Sequence, residues 1–293
     1  MTQPDERALF VSDLDGTLLD GDGRLSPRSR AIIAPLLADG LQFSVATARS
    51  VVSVRSLLAE LPLRLPVVEF NGAFLSDLET GRHWLVRSLS PGLPDDLYGL
   101  ILESGHAPFV STFDGNRDRL YYDRLVNAGM EWYRDNRIEH SDPRLAKVDS
   151  TKETLKEQVV CLTVIGRRGP LEELKDRISL HANSQVELIL MPNLYSKGWD
   201  WLTVHDHRAT KDQGIRALRD YCGLSEAKLV VFGDQANDVK MIQTADFGIA
   251  VANATKELKK VSHTVIGANL DDSVALYLQD AWRSPPGNGS TDT

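Results

Sequence analysis

Short apolar runs and amphipathic stretches alternate at both ends of the chain. ALFVSD (8–13) is a compact apolar run of strand type. LSPRSRAIIAPLLADG (25–40) carries a helix start at Ser26-Pro27 and a stop at Gly40, and the internal Pro35 predicts a kink or a short helix. LQFSVATAR (41–49) reads as a second strand entering a polar turn, and residues 50–61 as a helix. PVVEFNGA (66–73) reads as a third strand ending in Asn71-Gly72. The rhythm returns near the C-terminus. A helix from about Lys211 to Tyr221 stops at Gly223, then strands KLVVFGD, FGIAV and HTVI are separated by helices NDVKMIQTA and TKELKKVS. Strand-helix alternation of this kind predicts an α/β domain, Rossmann-like, with a parallel sheet and helices on both faces.

The middle of the chain breaks that rhythm. From about Arg87 to Lys197 the candidate strands APFVSTF, RLYY, EQVVCLTVIG and QVELILM are separated by long polar segments, with LEELKDRIS as a helix. This pattern predicts an inserted α+β domain. The expected division is residues 1–86 with 200–282 as a discontinuous core and 87–199 as the insertion. A Pro/Gly/Ser-rich tail, 283–293, is expected to be disordered.

Bulk composition narrows the function classes. The chain has 293 residues, 42% hydrophobic and 25% charged, as in ordinary globular proteins. A net charge of −8 argues against a broad nucleic-acid footprint but leaves room for a small anionic ligand beside a metal or a local lysine. Cys161 and Cys222 read as reduced, packed thiols with no zinc-type spacing. No basic segment leads into an apolar stretch at the N-terminus, and no apolar run approaches the ~18 residues of a membrane span. A cytoplasmic location without membrane contact is therefore expected.

Chemistry concentrates at predicted strand ends. Asp13 and Asp15 follow the first apolar run directly, and two carboxylates so close repel unless something cationic compensates. In open α/β sheets ligands bind at the carboxyl ends of strands. Thr47, Asn71 and Asp234 also lie at strand ends, with Asn237 and Asp238 just behind Asp234, and Lys211 opens the preceding helix. If those strands are neighbours, a group this acidic calls for a cation, and oxygen-only ligands suit Mg2+. A second acidic doublet, Asp20-Gly21-Asp22, reads as turn chemistry. An EF-hand starting at Asp13 fails, because Leu18 and Arg24 stand where Gly and Glu are needed.

DLDGTLL (13–19), ATAR (46–49), NGA (71–73), Lys211 in RATKDQGI and GDQANDVKM (233–241) together resemble the haloacid dehalogenase superfamily, in its Cof-type phosphatase branch with a large inserted cap. VANATKELKKVSHTV and DDSVALYL are similar to that branch's C-terminal pattern. The resemblance implies a phosphatase for a small phosphorylated metabolite. It makes Asp13 the nucleophile that forms an aspartyl-phosphate. Asp15 becomes the acid that protonates the leaving oxygen and then the base that activates water. Thr47 and Lys211 would hold the phosphoryl oxygens, with Leu14, Gly16, Ala48, Arg49, Asn71 and Asn237 around them. Mg2+ would sit on Asp13, the Asp15 carbonyl and Asp234, supported by Asn237 and Asp238. Ala48 replaces the usual Gly, and Asp212 follows Lys211 where Gly is commoner. Lys197-Gly198 is a rival lysine motif, less favoured because a strand precedes Lys211 and a regular helix follows it.

Other candidates have plainer readings. His205-Asp206-His207 could ligate a metal but more simply lines a domain junction. Tyr195, Trp199 and Trp201 read as packing, and Lys259-Lys260 as a solvated helix face. Arg49 divides evenly between substrate contact and a cap or ion pair. A phosphomutase, a receiver-like domain phosphorylated on Asp, and a non-catalytic phospho-ligand binder remain as alternatives. The partner is a small metabolite, and the chain a monomer or small homo-oligomer.

Overall fold

The computed structural model describes residues 8–193 and 195–283. The N-terminal segment contains β1 (Ala8–Ser12), α1 (Pro27–Ala38), β2 (Gln42–Val45), α2 (Val51–Leu58), β3 (Val67–Glu69), β4 (Phe74–Ser76) and β5 (His83–Val86). The middle contains α3 (Leu93–Glu103), β6 (Pro108–Phe113), β7 (Asp118–Tyr122), α4 (Ala128–Glu139), β8 (Leu145–Lys147), β9 (Gln158–Gly166), α5 (Arg168–Ala182), β10 (Val186–Pro192) and β11 (Asp200–Asp206). The C-terminal segment contains α6 (Lys211–Cys222), β12 (Lys228–Gly233), α7 (Val239–Thr244), β13 (Phe247–Ala250), α8 (Lys256–Val261), β14 (Thr264–Val265) and α9 (Ser273–Arg283).

These elements form two compact units, residues 1–85 with 210–293, and residues 86–209. The first unit holds a five-stranded sheet in the order β14-β13-β12-β1-β2, every pair parallel. Apart from the short edge strand β14, its strands are largely buried. Val11, Phe43, Val45, Val231, Phe232 and Ile249 belong to one continuous core. Burial of this kind is what a parallel sheet covered by helices requires. Local signals set the helix ends. Ser26 caps α1 by accepting the Ser29 N–H at 2.9 Å, and Pro27 occupies its first turn. Pro35 sits inside α1, which continues to Ala38. Gly223 closes α6 in the left-handed region, φ 68°.

Three expectations change. The third strand does not extend the parallel sheet. β3 touches it through a single bridge, Ala46 to Val68, and instead opens a small sheet with β4 and β5, antiparallel where it pairs with β4. β11, expected in the core half, pairs antiparallel with both β10 and β9, so residues 200–209 belong to the middle unit. Arg283 lies in α9 rather than in a tail, and 284–293 fall outside the described residues.

The middle unit is a six-stranded sheet, β10-β11-β9-β6-β7-β8, largely antiparallel. Leu93, Leu97 and Ile101 of α3 and Leu171, Leu174 and Ile178 of α5 pack with Val110, Leu162, Val164, Leu202 and Val204. A second cluster joins Phe109, Leu120 and Ile165 to Met130 and Tyr133 of α4. No helix among the described residues is long and apolar enough to cross a membrane.

Candidate active site

Sheet order places the decisive strand ends together. β1 lies between β12 and β2, and the chain leaves each strand directly into a predicted site residue: Asp13, Asp234 and the segment ending in Thr47. The backbone N–H of Asp13 donates to Phe232 O at 3.0 Å, and Ala46 N–H donates to Ser12 O at 2.9 Å, so pairing continues to the edge of the site.

Lys211 is the hub. It opens α6 and is only 2% exposed. Its Nζ donates to Asp13 Oδ1 and to Asp238 Oδ1, both at 2.6 Å. Of the two lysine motifs, Lys211 is the one that meets the predicted carboxylates, whereas Lys197 lies in a turn of the middle unit. Burial works against the ammonium, but the Asp13 and Asp238 carboxylates hold its pKa above the ordinary value. A close backbone approach brings it there. A Cβ on Gly72, whose φ is 102°, would lie 2.2 Å from Thr210 O, immediately before Lys211. Only glycine permits both that conformation and that contact.

The acidic residues divide by partner. Asp238 is fully buried, and both its oxygens are engaged. Oδ1 takes Lys211, while Oδ2 accepts the backbone N–H groups of Asp234 at 2.9 Å and Gln235 at 3.1 Å. Asp234 accepts from Thr17 Oγ1 at 3.2 Å and from Gln235 Nε2 at 3.1 Å. Ligand atoms of Asp13, Asp234 and Asp238 lie within 4.8 Å of one another. Burial raises the Asp13 carboxyl well above its usual range. Lys211 opposes that shift, and Asp238, Asp234 and Asp15 add to it. Burial, with Asp238, pushes Asp234 up to about 6.

Asp15 is set apart from this group. Arg49 grips it through a two-pronged pair, Nε to Oδ2 and Nη2 to Oδ1, both 2.6 Å. The even reading of Arg49 thus resolves toward an ion pair. Gly16 follows Asp15 at φ 79°, and a Cβ there would sit 2.4 Å from Asp234 Oδ2. Its carbonyl accepts from Asn253 Nδ2 at 2.7 Å, a contact with no signal in the motif pattern. Leu14 is buried and Ala48 exposed. Thr47 is buried, its Oγ1 accepting the Arg49 N–H at 3.1 Å. Asn71 Oδ1 accepts from Asn237 Nδ2 at 3.1 Å, which ties those two predicted residues to each other.

The plainer readings also have structural outcomes. Asp20 Oδ1 accepts the Asp22 and Arg24 N–H groups at 2.9 Å each, which is turn chemistry. His205 is buried, with Nδ1 3.2 Å from Val160 O and Nε2 3.6 Å from Cys161 Sγ, whereas His207 is exposed; the pair does not converge. Trp201 packs edge-on against Tyr133, and Trp199 lies under the Arg167 guanidinium. Tyr195 is exposed.

The cluster can hold a cation. Three buried carboxylates, Asp13, Asp234 and Asp238, face one ammonium, which leaves two negative charges uncompensated among the described residues. The donors are all oxygen, and burial first, then the neighbouring carboxylates, raise the Asp13 and Asp234 carboxyls. A divalent oxygen-seeking ion fits that demand.

Known proteins resemble this chain over nearly its full length. One relative is the 5-amino-6-(5-phospho-D-ribitylamino)uracil phosphatase YitU of Bacillus subtilis. It is 24% identical over 93% of this chain and 96% of its own. The HMP-PP phosphatase of Serratia proteamaculans is 26% identical over 94% and 96%. A solved haloacid dehalogenase-like hydrolase from Bacteroides thetaiotaomicron has the same fold, with a TM-score of 0.77 at 19% identity, covering 93% of this chain and 98% of that one. The expected class, phosphatase, is the one these curated relatives carry. The family profile of haloacid dehalogenase-like hydrolases matches residues 10–278, and the chain belongs to that family.

Proposed function

We propose that the protein is a Mg2+-dependent phosphatase that hydrolyses a small phosphorylated metabolite through a phosphoryl group carried on Asp13. The observation that carries this reading is the position of Lys211 Nζ, 2.6 Å from both Asp13 and Asp238, beside the buried Asp234.

Asp13 attacks phosphorus with one carboxylate oxygen. The new O–P bond forms as the bond from phosphorus to the leaving oxygen breaks, and Asp15 gives that oxygen a proton. In the second step Asp15 takes a proton from water, the water oxygen bonds to phosphorus, and the Asp13–phosphorus link breaks to release phosphate. Arg49 holds both Asp15 oxygens, and the second step needs Asp15 ionised. For the first step Asp15 must carry a proton, so part of the Arg49 pairing is given up. Lys211 and Thr47 bind the phosphoryl oxygens. Asp13, the Asp15 carbonyl and Asp234 would hold Mg2+, which supplies neutralisation of the charge on the phosphoryl oxygens. Asp238, with both oxygens committed, aligns Lys211 and the backbone of the Asp234 turn. These residues address the phosphoryl group alone, and we assign the choice of leaving group to residues 86–209.

The test uses a generic aryl phosphate. Wild-type protein should release phosphate only with Mg2+, and Asp13→Asn should abolish turnover; retained activity in that variant refutes the assignment of the nucleophile. A phosphate-release screen across sugar phosphates, nucleotides and pyridoxal phosphate then finds the metabolite class.

A further inference from the structure

Glu69 ends β3, has no solvent exposure, and lies outside the reacting cluster. Donors from α2, β4 and β5 meet its carboxylate. Oε2 accepts the backbone N–H of Val51, and Oε1 accepts the Ser76 hydroxyl. His83 Nδ1 lies 2.7 Å from Ser76 Oγ and 3.5 Å from Glu69 Oε1, with its ring stacked on Phe74 at 4.1 Å between centroids.

Val51 is the first residue of α2. The residue before it, Ser50, stands at the N-cap, yet its side chain makes no capping bond and its buried Oγ finds no partner among the described residues. The first N–H groups of a helix have no acceptor within it, and a carboxylate there is favoured by the helix dipole. Glu69 therefore does from a neighbouring strand what Ser50 does not do locally. The segment so anchored is Thr47–Arg49. Its other ties also run to the β3 region: Thr47 N–H donates to Val68 O at 2.9 Å, and Phe70 N–H donates to Arg49 O at 3.1 Å.

We propose that Glu69 is a positioning residue: it caps α2 from β3 and so fixes the Thr47–Arg49 segment, and with it the grip of Arg49 on Asp15. The kinetic consequence rests on the phosphatase reading, whereas the cap itself does not. A double-mutant cycle on aryl phosphate turnover separates positioning from general damage. Glu69→Ala should lower kcat by between about tenfold and a hundredfold in the wild-type background, and far less once Arg49→Ala is present. Losses that simply multiply overturn the proposal. Where Glu69→Ala does not fold, Glu69→Gln replaces it in the cycle. Amide hydrogen exchange gives the second arm. The Val51 amide should exchange faster in the Glu69 variant while amides of α1 keep their wild-type rates; an unchanged Val51 rate overturns the proposal. If wild-type protein fails to turn over any phosphate ester, the phosphatase reading falls and the exchange result still decides the cap.

Discussion

Two buried clusters of charge, one in each unit, have opposite balances. In the middle unit Arg144 meets Asp142 through Nε to Oδ1 at 2.9 Å and Nη2 to Oδ2 at 2.6 Å, with Arg137 at 3.9 Å. Burial works against ionised Asp142, but the Arg144 hydrogen bonds and charge, with help from Arg137, hold its carboxyl below the usual range. There the charge of the carboxylate is fully met by cations. In the first unit Lys211 is shared between two carboxylates with a third beside them, and burial drives Asp13 and Asp234 upward instead. Both clusters cost desolvation, yet only the second carries carboxylate charge that no cation among the described residues meets. Uncompensated buried charge at strand ends marks a site, whereas compensated buried charge marks structure.

The comparison can be broken most severely at Lys211. Lys211→Met should reduce aryl phosphate turnover by at least about a thousandfold, because it removes the ammonium aimed at the transferring oxygens. Turnover within tenfold of wild type would remove Lys211 from the site. Asp142→Ala is the counterpart in the middle unit. It removes the paired carboxylate from a buried guanidinium and should cost roughly 3–5 kcal/mol in denaturant unfolding. A cost near zero would mean that the balanced pair is not structural.

A smaller effect separates the units by the sign of their pH response. Asp234 has a folded pKa of about 6 against an ordinary 3.8, so the folded state holds the extra proton between those values. Its contribution to metal-free stability is present at low pH and is lost as pH rises through about 6, up to roughly 3 kcal/mol. His205 shows the reverse. Burial lowers its pKa from 6.5 to about 4, so the unfolded state binds the proton first and stability is lost as pH falls from 6.5 toward 4. Relative to wild type, Asp234→Asn should therefore gain stability as pH rises from 4 to 7, and His205→Gln as it falls. Parallel curves for both variants would contradict the assignment. The smallest effect belongs to the second acidic doublet. Asp22 is exposed in a turn, so Asp22→Asn should stay within about 0.5 kcal/mol and keep full turnover.

The residues of the candidate site were legible because each stands at a punctuation point: an apolar run, then Asp13, Thr47 or Asp234, or a helix start at Lys211. Arg49 was half legible, because pairing with Asp15 depends on a rotamer that no local pattern encodes. Glu69 was invisible. It sits in PVVEF as one polar residue among apolar ones, and its value comes from Val51, Ser76 and His83, which lie elsewhere in sequence. Three helices, α3, α4 and α9, have no counterpart in the predicted pattern, the first two for different reasons. α4 buries little besides Gly129, Met130 and Tyr133, so it shows no full apolar stripe; the usable signal was Asn127, which caps Met130 at 3.0 Å. α3 did carry Leu93, Leu97 and Ile101 at helical spacing, with Asp95 and Asp96 in its first turn. β11 was recognised as a strand but placed in the wrong unit, because alternation reports that a strand exists and not which strands it joins.

The central claim is that the surplus charge of Asp13, Asp234 and Asp238 is balanced by one divalent ion. Calorimetric titration of Mg2+ into metal-free protein tests it directly. The account predicts one saturable site per chain, lost in Asp234→Asn and kept in Asp22→Asn. Absence of saturable binding in the wild type, or undiminished binding in Asp234→Asn, would contradict it.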